Sequence, residues 1–137
     1  MRTHHESMNL NWLNDMEDFV EYDIAVKLKE KGFNDECHAY YEPLKHCLNF
    51  SRVFKTNSLA ENYNCIAAPT VSQVLKWLRE EKKIFILIDI RKDLSWFYEI
   101  WGIEISLHPL GCVPYQKKQS YEQAALAGIE YVLDNLI

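Results

Sequence analysis

Glycine is scarce in this chain, with four among 137 residues. Loops that cradle phosphate depend on glycine, because their backbone N–H groups must approach the anion with no Cβ in the way. No GxGxxG, no P-loop and no GxSxG elbow is present. Long apolar runs are missing too: none approaches the roughly 20 residues of a membrane-spanning helix. The N-terminus carries Arg2 but no apolar leader core, so a cytoplasmic location is expected. Cysteine is limited to Cys37, Cys47, Cys65 and Cys112, none in CxxC spacing. Reduced thiols are therefore expected, and whether any two meet in space is a question for the fold. An excess of positive charge is also absent. Net charge is −5, with 7 basic and 10 acidic side chains in residues 1–60 and 8 and 10 in residues 61–137. Neither half offers a broad phosphate-neutralising surface.

What is present is apolar and aromatic: 48% hydrophobic residues and 13% aromatic ones. Such a composition specifies a folded core, and the length suits one domain. Residues 1–15, polar apart from Leu10, Trp12 and Leu13, read as a flexible N-terminal arm. Residues 16–137 read as a single α+β domain.

The clearest segment begins at Pro69. Thr70 suits an N-cap accepting from the N–H of Gln73, and Gln73 has the position to reach back and complete a capping box. Val71, Val74, Leu75 and Leu78 then mark one helical face. Trp77 falls at the edge of that stripe, where it either packs at the boundary or offers a contact platform. The helix runs into Ile84 to Ile90, a strand with isoleucine at every even position, expected to be covered by helices on that face.

The other elements follow from similar signals. Asp18 to Lys31 reads as a helix with Asp18 and Glu21 in capping-box spacing, closed by Gly32. Cys37 to Tyr41 reads as a strand ended by Pro43, and Phe50 to Phe54 as a possible second one. Residues 56–58 and 62–64 read as loop. Arg91 to Leu94 makes a polar turn, and Ser95 to Leu107 returns as an antiparallel partner, with Gly102 marking a bulge or bend. His108 to Gly111 reads as a turn and residues 111–119 as a loop. Ser120 caps the last helix, in which Gly128 implies close approach to another element. The order α-β-(β)-α-β-β-α describes an α+β two-layer sandwich, with a mainly antiparallel sheet of three to four strands and about three helices.

These motifs together carry a resemblance: Glu21 to Phe33, His38-Ala39-Tyr40-Tyr41, Ala68-Pro69-Thr70 to Glu80, a Trp/Tyr-rich strand, and Ser120-Tyr121-Glu122-Gln123-Ala124. As an ordered set over residues 17–137, it resembles small uncharacterised proteins of bacterial prophages and mobile elements. The resemblance implies a cytoplasmic protein with a phage or mobile-element connection. It implies no reaction.

Chemistry-bearing constellations are few. Cys37-His38 and His46-Cys47 form two ligand doublets, but neighbours on a strand point to opposite faces, so at most one member of each would bind one ion. Partners would come from Cys65, His108 or Cys112, and ordinary half-buried residues are the favoured reading. No metal or other cofactor is expected. A thiol nucleophile such as Cys112 with His108 or His38 is formally available, though spacing shows no triad. Asp89 and Glu99 have the positions to face each other across the hairpin, and Tyr40, Tyr41 and Glu42 to form a pocket wall.

The favoured function is non-catalytic: a small binding or adaptor protein of phage or mobile-element type. It would act on a protein partner or on itself through a sheet face bearing Trp96, Tyr98 and Phe85 or Leu87, with Trp77, Tyr40 and Tyr41 as further contacts. One alternative is a nucleic-acid accessory protein stacking bases on that face, using a patch at Lys76, Arg79, Lys82 and Lys83; the acidic balance argues against it. The other is a small metal- or thiol-dependent enzyme.

Overall fold

The computed structural model describes residues 19–42, 44, 47–102, 108–111 and 117–137, with backbone alone for 52–55 and 108–111. The arm at 1–15, the cap at Asp18, and the side chains of His46, His108 and Cys112 lie outside the described residues.

The fold is mixed α+β. In chain order it runs α1 (Tyr22–Glu30), β1 (Cys37–Glu42), β2 (Cys47–Lys55), α2 (Asn57–Ala60), a 3-10 turn (Glu61–Tyr63), β3 (Ile66–Ala67), α3 (Val71–Glu81), β4 (Ile84–Ile90), β5 (Trp96–Gly102), β6 (His108–Gly111) and α4 (Tyr121–Asn135). The described strands divide between two antiparallel sheets, β2-β1-β3 and β4-β5-β6, where the sequence suggested one. Residues 56–58, expected as loop, instead start α2, because Thr56 caps it by accepting from the Leu59 N–H. The expected turn at His108–Gly111 is a strand paired with β5.

Local chemistry explains most boundaries. The N-cap of α1 is Glu21, three residues past the expected Asp18, and it makes no side-chain capping bond. Its end is as expected: Gly32 takes φ +92, and the Phe33 N–H bonds the Leu28 carbonyl at 2.9 Å. Thr70 caps α3 at 3.1 Å from the Gln73 N–H, but the Gln73 side chain turns away from the cap. It donates to the Glu36 carbonyl at 2.7 Å, tying α3 to the entry of β1. At α4, Ser120 accepts from the Gln123 N–H, and Gln123 reaches back one residue further than expected, to the Gln119 N–H.

One core holds both sheets together. Val20, Leu28, Phe33, Ala39 and Ile66 from the first half join Val74, Leu78, Ile86, Ile100, Ile129 and Leu133 from the second. A buried polar crosslink stitches its margin. Asn57, 5% exposed, donates to the Phe33 carbonyl at 2.7 Å and accepts from the Ala67 N–H at 2.9 Å.

The β4–β5 hairpin determines which side chains face that core. Its ladder runs without a break from Ile84↔Gly102 to Ile90↔Trp96, so even positions pair with even and odd with odd. The turn closes through Arg91 N–H to the Ser95 carbonyl (2.8 Å) and Leu94 N–H to the Arg91 carbonyl (2.9 Å). Asp93 accepts from the Ser95 hydroxyl and N–H, and these bonds, hydroxyl first, hold its carboxyl below the ordinary range. Leu94 sits at φ 69, in the left-handed region, and is 75% exposed. A left-handed conformation costs a non-glycine residue about 1–2 kcal/mol, part of which glycine forfeits through its freer unfolded state. Leu94→Gly is expected to raise stability by up to about 1 kcal/mol, read as a higher urea midpoint with an unchanged m-value.

Candidate functional site

The helices cover the even face of the hairpin. Ile84, Ile86, Tyr98 and Ile100 lie in the core, and a Cβ built on Gly128 of α4 would stand 2.9 Å from the Ile86 methyl and 3.2 Å from the Tyr98 ring. The isoleucine face is therefore the helix-covered one from Ile84 to Ile88, while Ile90 at its end is 43% exposed. Trp96 and Tyr98 go with it, since they pair with Ile90 and Ile88. This corrects their expected place on the open face. Tyr98 is 4% exposed, and Trp96 meets Tyr121 of α4 edge-on at 5.9 Å.

Other expected contact residues are also structural. Trp77 is buried, not at the rim: it is 5% exposed and packs edge-on against Phe33 at 5.4 Å, with the Lys82 ammonium 5.3 Å from its ring. Tyr41 is buried, and its hydroxyl donates to the Val20 carbonyl at 2.7 Å. Tyr40, on the other face of β1, is half-buried. The five aromatic candidates are thus spread over β1, α3 and β5 and do not converge.

The described thiols and the His38 imidazole do not converge either. No group of three potential metal ligands occurs among the described residues. Cys37 and His38 point to opposite sides of β1, one buried and one exposed. Cys47 pairs with Glu42, five positions along β1 from Cys37, or roughly 17 Å in an extended strand. One ion cannot bridge them. Burial, reinforced by the Asp35 charge and opposed by a Gln73 hydrogen bond, pushes the Cys37 thiol up to about 12.

That shift has a stability consequence. A thiol that stays protonated in the fold but ionises on unfolding adds stability that is complete below the unfolded value. The contribution is lost as pH rises toward about 12. Tyr41, raised chiefly by burial, acts in the same direction. The melting temperature is expected to fall from about pH 9 upward, and less steeply in Cys37→Ala.

A surface cleft of about 280 Å³ lies between α1 and α4, with Ile24, Leu126 and Ala127 as apolar lining and Glu21, Asp23 and Glu130 as acidic lining. Two of its carboxylates have structural roles, and Lys118 also lines it. Asp23 lies in the first turn of α1, where the helix dipole favours it, and Glu130 pairs with Lys27 at 3.5 Å. Lys27 also bonds Asp134, which raises its pKa first through that hydrogen bond.

The remaining surface of interest is the odd face of the hairpin. Phe85 and Leu87 on β4 and Phe97 and Trp101 on β5 are only half-buried and stand outside the core cluster. Phe85 pairs with Trp101, Leu87 with Glu99 and Asp89 with Phe97. The result is an apolar face with Glu99 set between two rings and Asp89 at one end. Asp89 and Glu99 share the face as diagonal neighbours, not as a directly opposed pair. The Arg91 guanidinium stands 4.4 Å from the Phe97 ring centroid. Phe97 and Trp101 were not singled out from sequence, because which β5 residues join this face depends on the length of the hairpin loop.

Among the described residues, no helix is long and apolar enough to cross a membrane. No family model matches the chain, and no curated protein or solved structure matches it.

Proposed function

We propose that the protein is a non-catalytic binding module that docks a protein partner on the odd face of the β4–β5 hairpin. One observation carries this reading: four large apolar side chains, Phe85, Leu87, Phe97 and Trp101, lie side by side on a sheet face yet outside the core. A contiguous apolar patch with polar residues among it is the usual mark of an interaction surface. Among the described residues, Cys37, His38 and Cys47 lie apart, which favours binding over catalysis. Asp89 and Glu99 among the rings would repel phosphates, which disfavours nucleic acid.

The test is site-specific photo-crosslinking in cells of the source organism. A photoreactive phenylalanine analogue at position 87 is expected to give a discrete protein adduct, and the same group at Arg79, on exposed α3 surface, none. Equal labelling from both positions, or no adduct from position 87, would overturn the assignment.

A further inference from the structure

Resting on that docking face, we propose that its occupant is an extended protein segment carrying arginine or lysine at alternate positions. The face holds six outward positions on β4 and β5: Phe85, Leu87, Asp89, Phe97, Glu99 and Trp101. Two are carboxylates, against a single cation from the chain itself among the described residues, Arg91, which is placed over the Phe97 ring. Neither Asp89 nor Glu99 has an ion-pair partner among the described residues. Glu99 is only partly exposed, with Leu87 opposite and Phe97 and Trp101 two positions away on either side. A carboxylate half-withdrawn from water among apolar groups gains most from a cation delivered by a partner, because screening there is weaker than on an open surface.

The rings favour the same ligand. Phenylalanine and tryptophan faces attract cations, and arginine more often than lysine. The chain already does this once, with the Arg91 guanidinium over Phe97. The methylene stem of a basic side chain would lie along Leu87 and Trp101 while its charged head reaches a carboxylate.

Spacing selects the ligand's shape. Diagonal neighbours on a sheet face lie roughly 7–8 Å apart, and alternate residues of an extended segment advance about 6.8 Å. An extended segment with basic residues at i and i+2 therefore presents one cation to each of Asp89 and Glu99. A helix would place such residues on different faces.

The probe is a fluorescent Gly-Arg-Ser-Arg-Ser-Arg-Gly peptide, read by anisotropy on the full chain. Controls are the same peptide with glutamate for arginine, one with leucine for arginine, and a single-stranded oligonucleotide. Binding is expected for the arginine peptide alone, weakening as salt rises. Asp89→Asn and Glu99→Gln should each weaken it about 5- to 10-fold, and Trp101→Ala about 10-fold, while the thermal melts of the two carboxylate variants stay near that of the parent. Preference for the leucine peptide, no effect of Glu99→Gln, binding of the oligonucleotide, or dimerisation through this face would overturn the basic occupant. If position 87 still crosslinks a protein in those cases, the docking face stands without it. If no peptide binds and position 87 gives no adduct, both readings fall.

Discussion

Replacing Asn57 with leucine is expected to lower the free energy of unfolding by about 2–5 kcal/mol in urea titrations. The side chain is nearly isosteric, so little of this loss is packing. The loss arises from two backbone groups. The Phe33 carbonyl loses its donor and the Ala67 N–H loses its acceptor, and both residues are about 1% exposed. Water cannot readily replace Asn57, and an unsatisfied buried polar group costs about 1–3 kcal/mol. Asn57→Asp separates the two bonds. Its carboxylate still accepts from Ala67 but has nothing to donate to Phe33. Burial and the facing carbonyl raise the pKa of such an acid. The variant's stability is thus best below about pH 4, where the unfolded form is also protonated, and declines as pH rises. A loss under about 1 kcal/mol for Asn57→Leu would mean that the crosslink contributes little.

Gly128→Val is expected to destabilise by about 3 kcal/mol or more, despite removing a helical glycine. In an exposed helix, glycine to alanine gains about 1 kcal/mol. Here the new Cβ would already lie 2.9 Å from the Ile86 methyl and 3.2 Å from two Tyr98 ring atoms. The methyl sits on a β-branched carbon, so moving it means leaving a stiff rotamer. The Tyr98 ring has little room, being buried and in contact with Tyr131. Gly128→Ala should lose about 1–2 kcal/mol, overpacking outweighing propensity. Paired with Ile86→Ala it should lose less than the sum of the single changes. Strict additivity would place the obstruction elsewhere.

Much of the fold was legible because local chemistry decided it. The Thr70 and Ser120 caps, the Gly32 terminus, the isoleucine face and the close approach at Gly128 all follow from residue type and spacing over short stretches. The make-up of the hairpin's odd face turns on one residue of loop length. A four-residue turn over Arg91 to Leu94 would pair Ile90 with Ser95 and send Trp96 and Tyr98 to the odd face. The actual closure pairs Ile90 with Trp96, leaving Lys92–Leu94 as the loop. Parity then reverses every side chain of β5. The cue was hidden because the left-handed position that closes such turns is normally glycine, and here it is leucine. The short α2 and β6 escaped for other reasons: α2 is a single turn held by the Thr56 cap and the Asn57 bonds to Phe33 and Ala67, and β6 exists only through its pairing with β5.

The single interior shared by the two sheets has a consequence for how this chain can be inherited. A gene fragment ending after β3 would encode a surface of Leu28, Phe33, Ala39 and Ile66 with nothing to lie against. The remainder would leave Ile86, Ile100 and Ile129 equally bare. Neither half is a module that recombination could pass on alone, because each would lose the surface it folds against.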